Sequence, residues 1–262
     1  IRDDLVTGVQ TCALPISENP AHITRVGRVQ DVADDQSEMP HTLMNQARVH
    51  ELFLEVMSHS PSRLEPNYSL AVRELTVDSE AGSHPVTVTL ERTAGSERGQ
   101  LLQVRASYVV GCDGARSTVR ALIGGTLEGD AADQAWGVMD ILANTDFPDI
   151  RMKCLVASAA EGNVLILPRE GGYLFRMYVE LDKLNPQERV ANRNLTVEDV
   201  IAAANRIMAP YTIEVKEVVW WSIYEIGHRL SNRFADVLPG DGNGPTPRVF
   251  TAGDACHTHS PK

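Results

Sequence analysis

Two aspartates occupy positions suited to holding a ligand. Asp113 lies in the stretch YVVGCDGARSTVR (Tyr108–Arg120), where an apolar run ends in Gly-Cys-Asp-Gly. Asp254 lies in RVFTAGDACHTHSP (Arg248–Pro261), where a second short apolar run ends in Gly-Asp. An apolar run closed by glycine and an acid reads as a buried strand that delivers a carboxylate at its carboxyl end, where ligands bind in open α/β sheets. Gly111 and Gly114 would let a ligand approach the backbone closely, and Gly253 would do the same for Asp254. Ser117 is placed to cap a helix starting just after Asp113. An isolated Asp-Gly is more often only a turn, so neither motif carries chemistry by itself.

Other residues could work beside them. His257 and His259 form an H-x-H pair next to Asp254, but a zinc site needs three or four ligands and no further ligand has recognisable spacing, so no metal is expected. In YLFRMYVE, Tyr173, Phe175, Met177 and Val179 alternate with Leu174, Arg176, Tyr178 and Glu180. Tyr178 therefore projects from the face opposite the apolar set, where its phenol could meet a substrate. Its plain alternative is a tyrosine packed in a sheet with a satisfied hydroxyl.

The elements that must position these groups follow from periodicity and punctuation. A strand pattern covers Ile23–Val32, and a helix is expected over Asn45–His59 with Val49, Leu52, Phe53 and Val56 on one face. Strands follow over Ser69–Val77, Val86–Glu91 and Leu101–Gly111, then a short helix over Ser117–Ile123 stopped by Gly124 and Gly125. From Trp136 to Asp146 and from Asn163 to Leu181 the chain is strand-rich. A helix over Val197–Met208 is led by Asn194 and Thr196 and halted before Pro210. A long strand pattern runs from Thr212 to about Ile226, and the loop Pro239–Pro247 leads into a last strand over Arg248–Ala252.

Composition limits the partners. The 262 residues carry a formal net charge of -11, with 43% hydrophobic and 23% charged residues. That balance excludes a nucleic-acid binder, which needs a basic face, and no run of apolar residues is long enough to span a membrane. Four unpatterned cysteines argue for a reducing, cytoplasmic setting rather than a disulfide framework. Near the start, VTGVQTCALPI (Val6–Ile16) back-translates to a common sequencing adapter. Residues 1–17 are accordingly expected to be translated adapter, disordered and outside the fold.

In this order and spacing, the two aspartate motifs, with SEMPHTLMNQARVHELFLEVM (Ser37–Met57) and LPREGGYLFRMYVEL, resemble the FAD-dependent aromatic-ring hydroxylases, specifically the phenol 2-monooxygenase branch. The resemblance covers nearly everything from Ile23 to Lys262 and implies a fold. It is α/β with a sheet-rich α+β insertion: an incomplete Rossmann-like, p-hydroxybenzoate hydroxylase-like FAD-binding domain with a mixed-sheet substrate domain. Residues 18–125 would be part of the FAD domain, 126–234 the substrate sheet, and 235–262 the return to the FAD domain.

The resemblance also implies site roles. Gln46, Asp113, Gly114, Arg116, Gly253 and Asp254 would contact FAD. Arg169 and Tyr178 would line the substrate pocket and polarise the phenol, with Tyr178 also reaching the flavin. NADPH or NADH would reduce FAD, and the reduced flavin would capture O2 as a C4a-hydroperoxide that hydroxylates a small phenolic ring. A homodimer of the full-length enzyme is compatible with the family.

Where the chain departs from the family, it lacks the GxGxxG unit that cradles the pyrophosphate and the thioredoxin-like C-terminal domain. The fragment is therefore expected to hold FAD weakly and to be inactive. The rival readings are a hydroxylase of a polyketide or a hydroxyphenyl acid, a metal-dependent hydrolase using Asp254, His257 and His259, and a non-catalytic binding module.

Overall fold

The computed structural model describes residues 6–7, 10–14, 23, 25, 27–30, 32–33, 35–39, 42–158, 161–169, 171–181, 195–238 and 244–259. Its elements in chain order begin with β1 (Val6–Thr7), β2 (Gln10–Leu14), β3 (Gly27–Gln30), β4 (Thr42–Leu43) and α1 (Gln46–His59). Next come β5 (Leu70–Val77), β6 (Val86–Arg92), β7 (Leu101–Ala106), β8 (Val109–Gly111), α2 (Thr118–Leu122) and β9 (Leu127–Thr145). The rest are β10 (Lys153–Ser158), β11 (Gly162–Pro168), β12 (Phe175–Glu180), α3 (Val197–Met208), β13 (Ile213–Ser231), β14 (Val249–Thr251) and β15 (His257–Thr258). Pro239 to Asn243, Asn194 and Pro261, named in the sequence reading, lie outside the described residues.

The chain divides into two units. The first comprises Ile1–Leu64 with Asp133–Ile226, and the second comprises Glu65–Ala132 with Gly227–Lys262. Residues 18–64 thus group with the sheet unit rather than with the segment carrying Asp113, as the sequence boundaries had them.

In the first unit the strands lie in the order β13-β9-β12-β11-β10-β2-β3. Alternation decides which face is core. Phe175, Met177 and Val179 of β12 are buried, as are Met139 and Ile141 of β9, and Val164 and Ile166 of β11. They pack with Val200, Ala203, Ala204, Ile207 and Met208 of α3. Tyr173, grouped with the apolar set on sequence, falls before the strand and is exposed. Helix α3 matches its expected limits because Thr196 and Asp199 close a reciprocal capping box, with Thr196 N–H donating to Asp199 Oδ2 at 2.8 Å. It sits tight on the sheet because β9 offers Gly137, where a Cβ would lie 2.6 Å from a Val200 methyl. Asp149 is 2% exposed and takes a bidentate ion pair from Arg25, at 2.6 and 2.5 Å, which ties the segment before β3 to the β9–β10 turn.

Two findings differ from the sequence expectation here. Within residues 1–17, expected to be disordered, Gln10–Leu14 forms a strand that pairs parallel with β10 and antiparallel with β3. A β10 edge with unpaired amides accepts such a segment readily. Helix α1 begins at Gln46, one residue after the expected start, because Asn45 caps it instead, and none of its residues is buried. Val49, Phe53 and Val56 stay exposed.

In the second unit β5, β6 and β7 form an antiparallel sheet, and β8 pairs parallel with β14. The core joins Val86 and Val88 of β6 to Val119 and Ile123 of the α2 region and to Val249 of β14. The run expected as one strand over Leu101–Gly111 is two, β7 and β8, and it is not a buried strand: Tyr108 and Val110 are exposed.

Candidate functional site

The parallel pair β8–β14 fixes the geometry of the two aspartates. Val109, Val110 and Gly111 lie opposite Val249, Phe250 and Thr251. Beyond them, Ala252 N–H donates to Gly111 O at 3.0 Å. Asp113 follows Gly111 by two residues and Asp254 follows Thr251 by three, so both stand beyond the same, carboxyl ends of adjacent strands. This is the edge at which open α/β sheets bind ligands. Gly114 and Gly253 occupy it with positive φ, 83° and 61°, and no atom lies within 4 Å of where a Cβ would sit on either.

The two carboxylates are used differently. Asp113 turns back on its own helix: Oδ2 accepts from Thr118 N–H at 2.7 Å and Val119 N–H at 3.1 Å, and Oδ1 accepts a short hydrogen bond from the Ser117 hydroxyl. Ser117 Oγ in turn accepts from Arg120 N–H at 2.9 Å. The first-turn amides of α2 are therefore satisfied within the chain. Burial pushes the Asp113 pKa up, but the hydrogen bonds from Ser117, Val119 and Thr118 outweigh it and hold the carboxyl below its ordinary value. A carboxyl lowered in the folded state contributes stability at neutral pH that is lost as pH falls through its folded pKa. We expect the Thr118 and Val119 amide resonances to titrate together with a midpoint below that of an ordinary aspartate carboxyl. The same resonances should stay flat in Asp113→Asn, and a midpoint at or above that value would contradict the cap. Asp254 is exposed in a 3-10 turn over Gly253–Ala255, and its carboxylate has no hydrogen-bond partner among the described residues.

A residue that sequence reasoning missed joins the two loops. Arg120 is 9% exposed; its Nη2 donates to Ala115 O in the loop after β8, and its Nη1 donates to Ala255 O in the turn after β14, each at 2.8 Å. Arg116, singled out on sequence, is exposed. Gly111 also has a different cause from the one expected. A Cβ there would lie 2.6 Å from Val119 Cβ, so the glycine lets α2 pack on β8 rather than admitting a ligand.

In the first unit the face opposite the core carries Tyr178 with two further residues. Arg176 of β12 lies opposite Asp140 of β9 and forms a two-toothed ion pair with it, Nε to Oδ1 at 2.6 Å and Nη2 to Oδ2 at 2.7 Å. Its guanidinium carbon stands 6.0 Å from the Tyr178 ring centroid and 5.2 Å from that of Trp220. The hydrogen bonds that Arg176 donates to Asp140 raise its pKa; burial opposes this, and Tyr178 adds to it. Arg169 approaches the same carboxylate, its Nη2 3.9 Å from Asp140 Oδ2. Arg169 and Tyr178 are thus gathered around Asp140, with Arg176 the more tightly held arginine. Sequence alternation had placed Arg176 on this face, and strand register was the missing information. Gln46 is exposed at the start of α1, and its side chain makes no hydrogen bond among the described residues.

The metal reading gains nothing. His257 and His259 stack on each other with centroids 6.0 Å apart. Among the described residues no group of three or more His, Cys, Asp or Glu could hold a metal ion. Nor is any helix among them long and apolar enough to cross a membrane. A cavity of about 680 Å³ is walled by Phe234, Leu238, Pro245 and Pro247.

Comparison with known proteins converges on one family. The FAD binding domain family matches residues 11–262. A 3-hydroxybenzoate 4-monooxygenase of Comamonas testosteroni is 57% identical over 250 residues, covering 95% of this chain and 39% of the relative. A phenol 2-monooxygenase of Aspergillus fumigatus is 33% identical, covering 100% of this chain and 42% of the relative. The chain thus spans about two fifths of the length of these relatives. Among solved structures, p-nitrophenol 4-monooxygenase of Pseudomonas putida superposes with a TM-score of 0.72 at 20% identity, covering 100% of this chain and 59% of that one, which bears on the fold alone.

Proposed function

Because the chain belongs to the FAD binding domain family, we propose that the full-length protein is a cytoplasmic flavin monooxygenase that hydroxylates phenolic rings, of the hydroxybenzoate and phenol kind. The observation that carries this reading is the placement of Asp113 and Asp254 beyond the same ends of two hydrogen-bonded parallel strands. The residues present fit the ribityl side of FAD: Asp254 offers an exposed carboxylate to hydroxyl donors, and Gly253 and Gly114 leave the space beside it open. The chain contains no GxGxxG, so a grip on the pyrophosphate must come from elsewhere, and the chain by itself should hold FAD weakly and fail to turn over.

FAD, when bound, supplies the electron store that activates O2, with NAD(P)H as reductant. What this chain supplies is position and charge. Asp113 shapes the loop after β8 by capping α2, leaving Asp254 as the carboxylate available to a ligand. Tyr178 presents a half-buried phenol on the sheet face opposite the core, beside the Arg176–Asp140 ion pair, where its Oη can hydrogen-bond a substrate hydroxyl. Trp220, within cation–π reach of the same guanidinium, gives an aromatic ring a flat surface to lie against. The family reading allows the full-length protein to be a homodimer.

The test uses the gene in its full length. Purified protein should carry flavin and consume NAD(P)H and O2 with a hydroxybenzoate or phenol present. Asp254→Asn should weaken FAD binding about tenfold, the loss of one charge-assisted hydrogen bond. Tyr178→Phe should keep FAD and lose about a hundredfold in kcat, within the range for a misplaced proton-handling group. A colourless wild-type protein, or unchanged flavin affinity in the Asp254 variant, would sink the reading.

A further inference from the structure

The ion pair between Asp140 and Arg176 has a consequence for which ring the sheet face beside Tyr178 accepts. Arg176 offers its Nε and one Nη edge to Asp140, the two-toothed arrangement by which a guanidinium otherwise receives a carboxylate ligand. Both side chains are mostly shielded, 19% exposed for Arg176 and 10% for Asp140, so the pair is held in geometry and not averaged away by solvent. The guanidinium also lies within reach of two rings of the chain itself, Trp220 of β13, beyond β9, and Tyr178 two residues along its own strand. The edge that recognises anions is therefore occupied, and the rest of the guanidinium faces rings of the chain rather than a free anion site.

We propose that Asp140 is a specificity-determining residue: by occupying the carboxylate-binding edge of Arg176, it makes the sheet face beside Tyr178 select rings by shape and hydroxyl rather than by negative charge. The proposal rests on the reading of this face as the ring-binding surface. Its physical basis is discrimination by a built-in competitor, since an anionic substituent gains little from a cation already matched by a fixed carboxylate and is repelled by that carboxylate. Arg169, at 3.9 Å from the same oxygen, lies at the border of the pair.

The experiment compares two probes of the same ring pattern, 3-hydroxybenzoate and 3-methylphenol, which differ in charge at one substituent. Their dissociation constants for the 262-residue chain are read from the indole N–H resonance of Trp220, one of three tryptophans, assigned with Trp220→Phe. In Asp140→Asn the ratio of affinities should move toward the acid by about tenfold, the factor one charge-assisted hydrogen bond supplies. In Arg176→Met, which leaves Asp140 unmatched, the ratio should move the other way, and the double variant should lose the gain of the single one. Arg176→Met keeps the test decisive if Asp140→Asn does not fold, which thermal melts followed by circular dichroism will show. Equal changes for both probes, or a gain that survives in the double variant, overturn the role of Asp140 while leaving the proposed function intact. If neither probe perturbs Trp220 in the wild-type chain, this face is not the ring surface, and the assignment of Tyr178 falls with it.

Discussion

Arg120→Gln should be the most damaging single change in the second unit, lowering its stability by about 3 kcal/mol, since two hydrogen bonds from a charged donor are lost and two carbonyls are left without it. The guanidinium is buried and spans Ala115 O and Ala255 O, and Gln cannot reach both. The effect should be local in a telling way. Amide exchange should accelerate at Ala252 and Cys256, whose N–H groups donate to Gly111 O and Gly253 O, before it does so in β5–β7. Arg120→Lys, with one donor centre, should recover less than half the loss. Exchange at Ala252 and Cys256 unchanged in the Gln variant would mean that the two loops hold their places without the bridge.

Gly111→Ala should cost about 2 kcal/mol through overpacking. The added Cβ would lie 2.6 Å from Val119 Cβ, so Val119→Ala, which keeps that carbon, should not relieve it. This separates two explanations of the same glycine. Were Gly111 needed only for a ligand to approach, the variant would fold normally and lose FAD affinity alone. A denaturation midpoint equal to wild type would favour that explanation over the packing one.

Much of the fold was legible because its signals are local. Thr196 with Asp199 announces a helix start, Gly124 with φ 76° closes α2, and the alternation in Phe175–Glu180 separates the core face from the opposite one. Motif order gave the family, and each aspartate does follow a strand end. What escaped depends on pairing at a distance. Arg176 and Arg169 look alike on sequence, and only the register of β12 against β9 sets Arg176 opposite Asp140. Arg120 reads as a solvated charge near the end of a short helix, and its burial requires the turn after β14 to fold against it. Asp113 reads as a ligand, whereas its oxygens satisfy the helix that follows. The exposed stripe Val49–Phe53–Val56 has the right spacing for a buried face, and periodicity does not say whether a neighbour covers it.

The pairing of β8 with β14 also sets a timetable. In a chain made from its amino end, Val109–Gly111 leaves the ribosome long before Val249–Thr251, and the pieces of the first unit lie on both sides of the earlier strand and end at Ile226. The first unit can therefore complete its core while β8 still waits for a mate. Because closing so long a loop precedes any reward from the contact, the ligand-facing edge should be the last part to mature and the part most exposed to chaperones during synthesis.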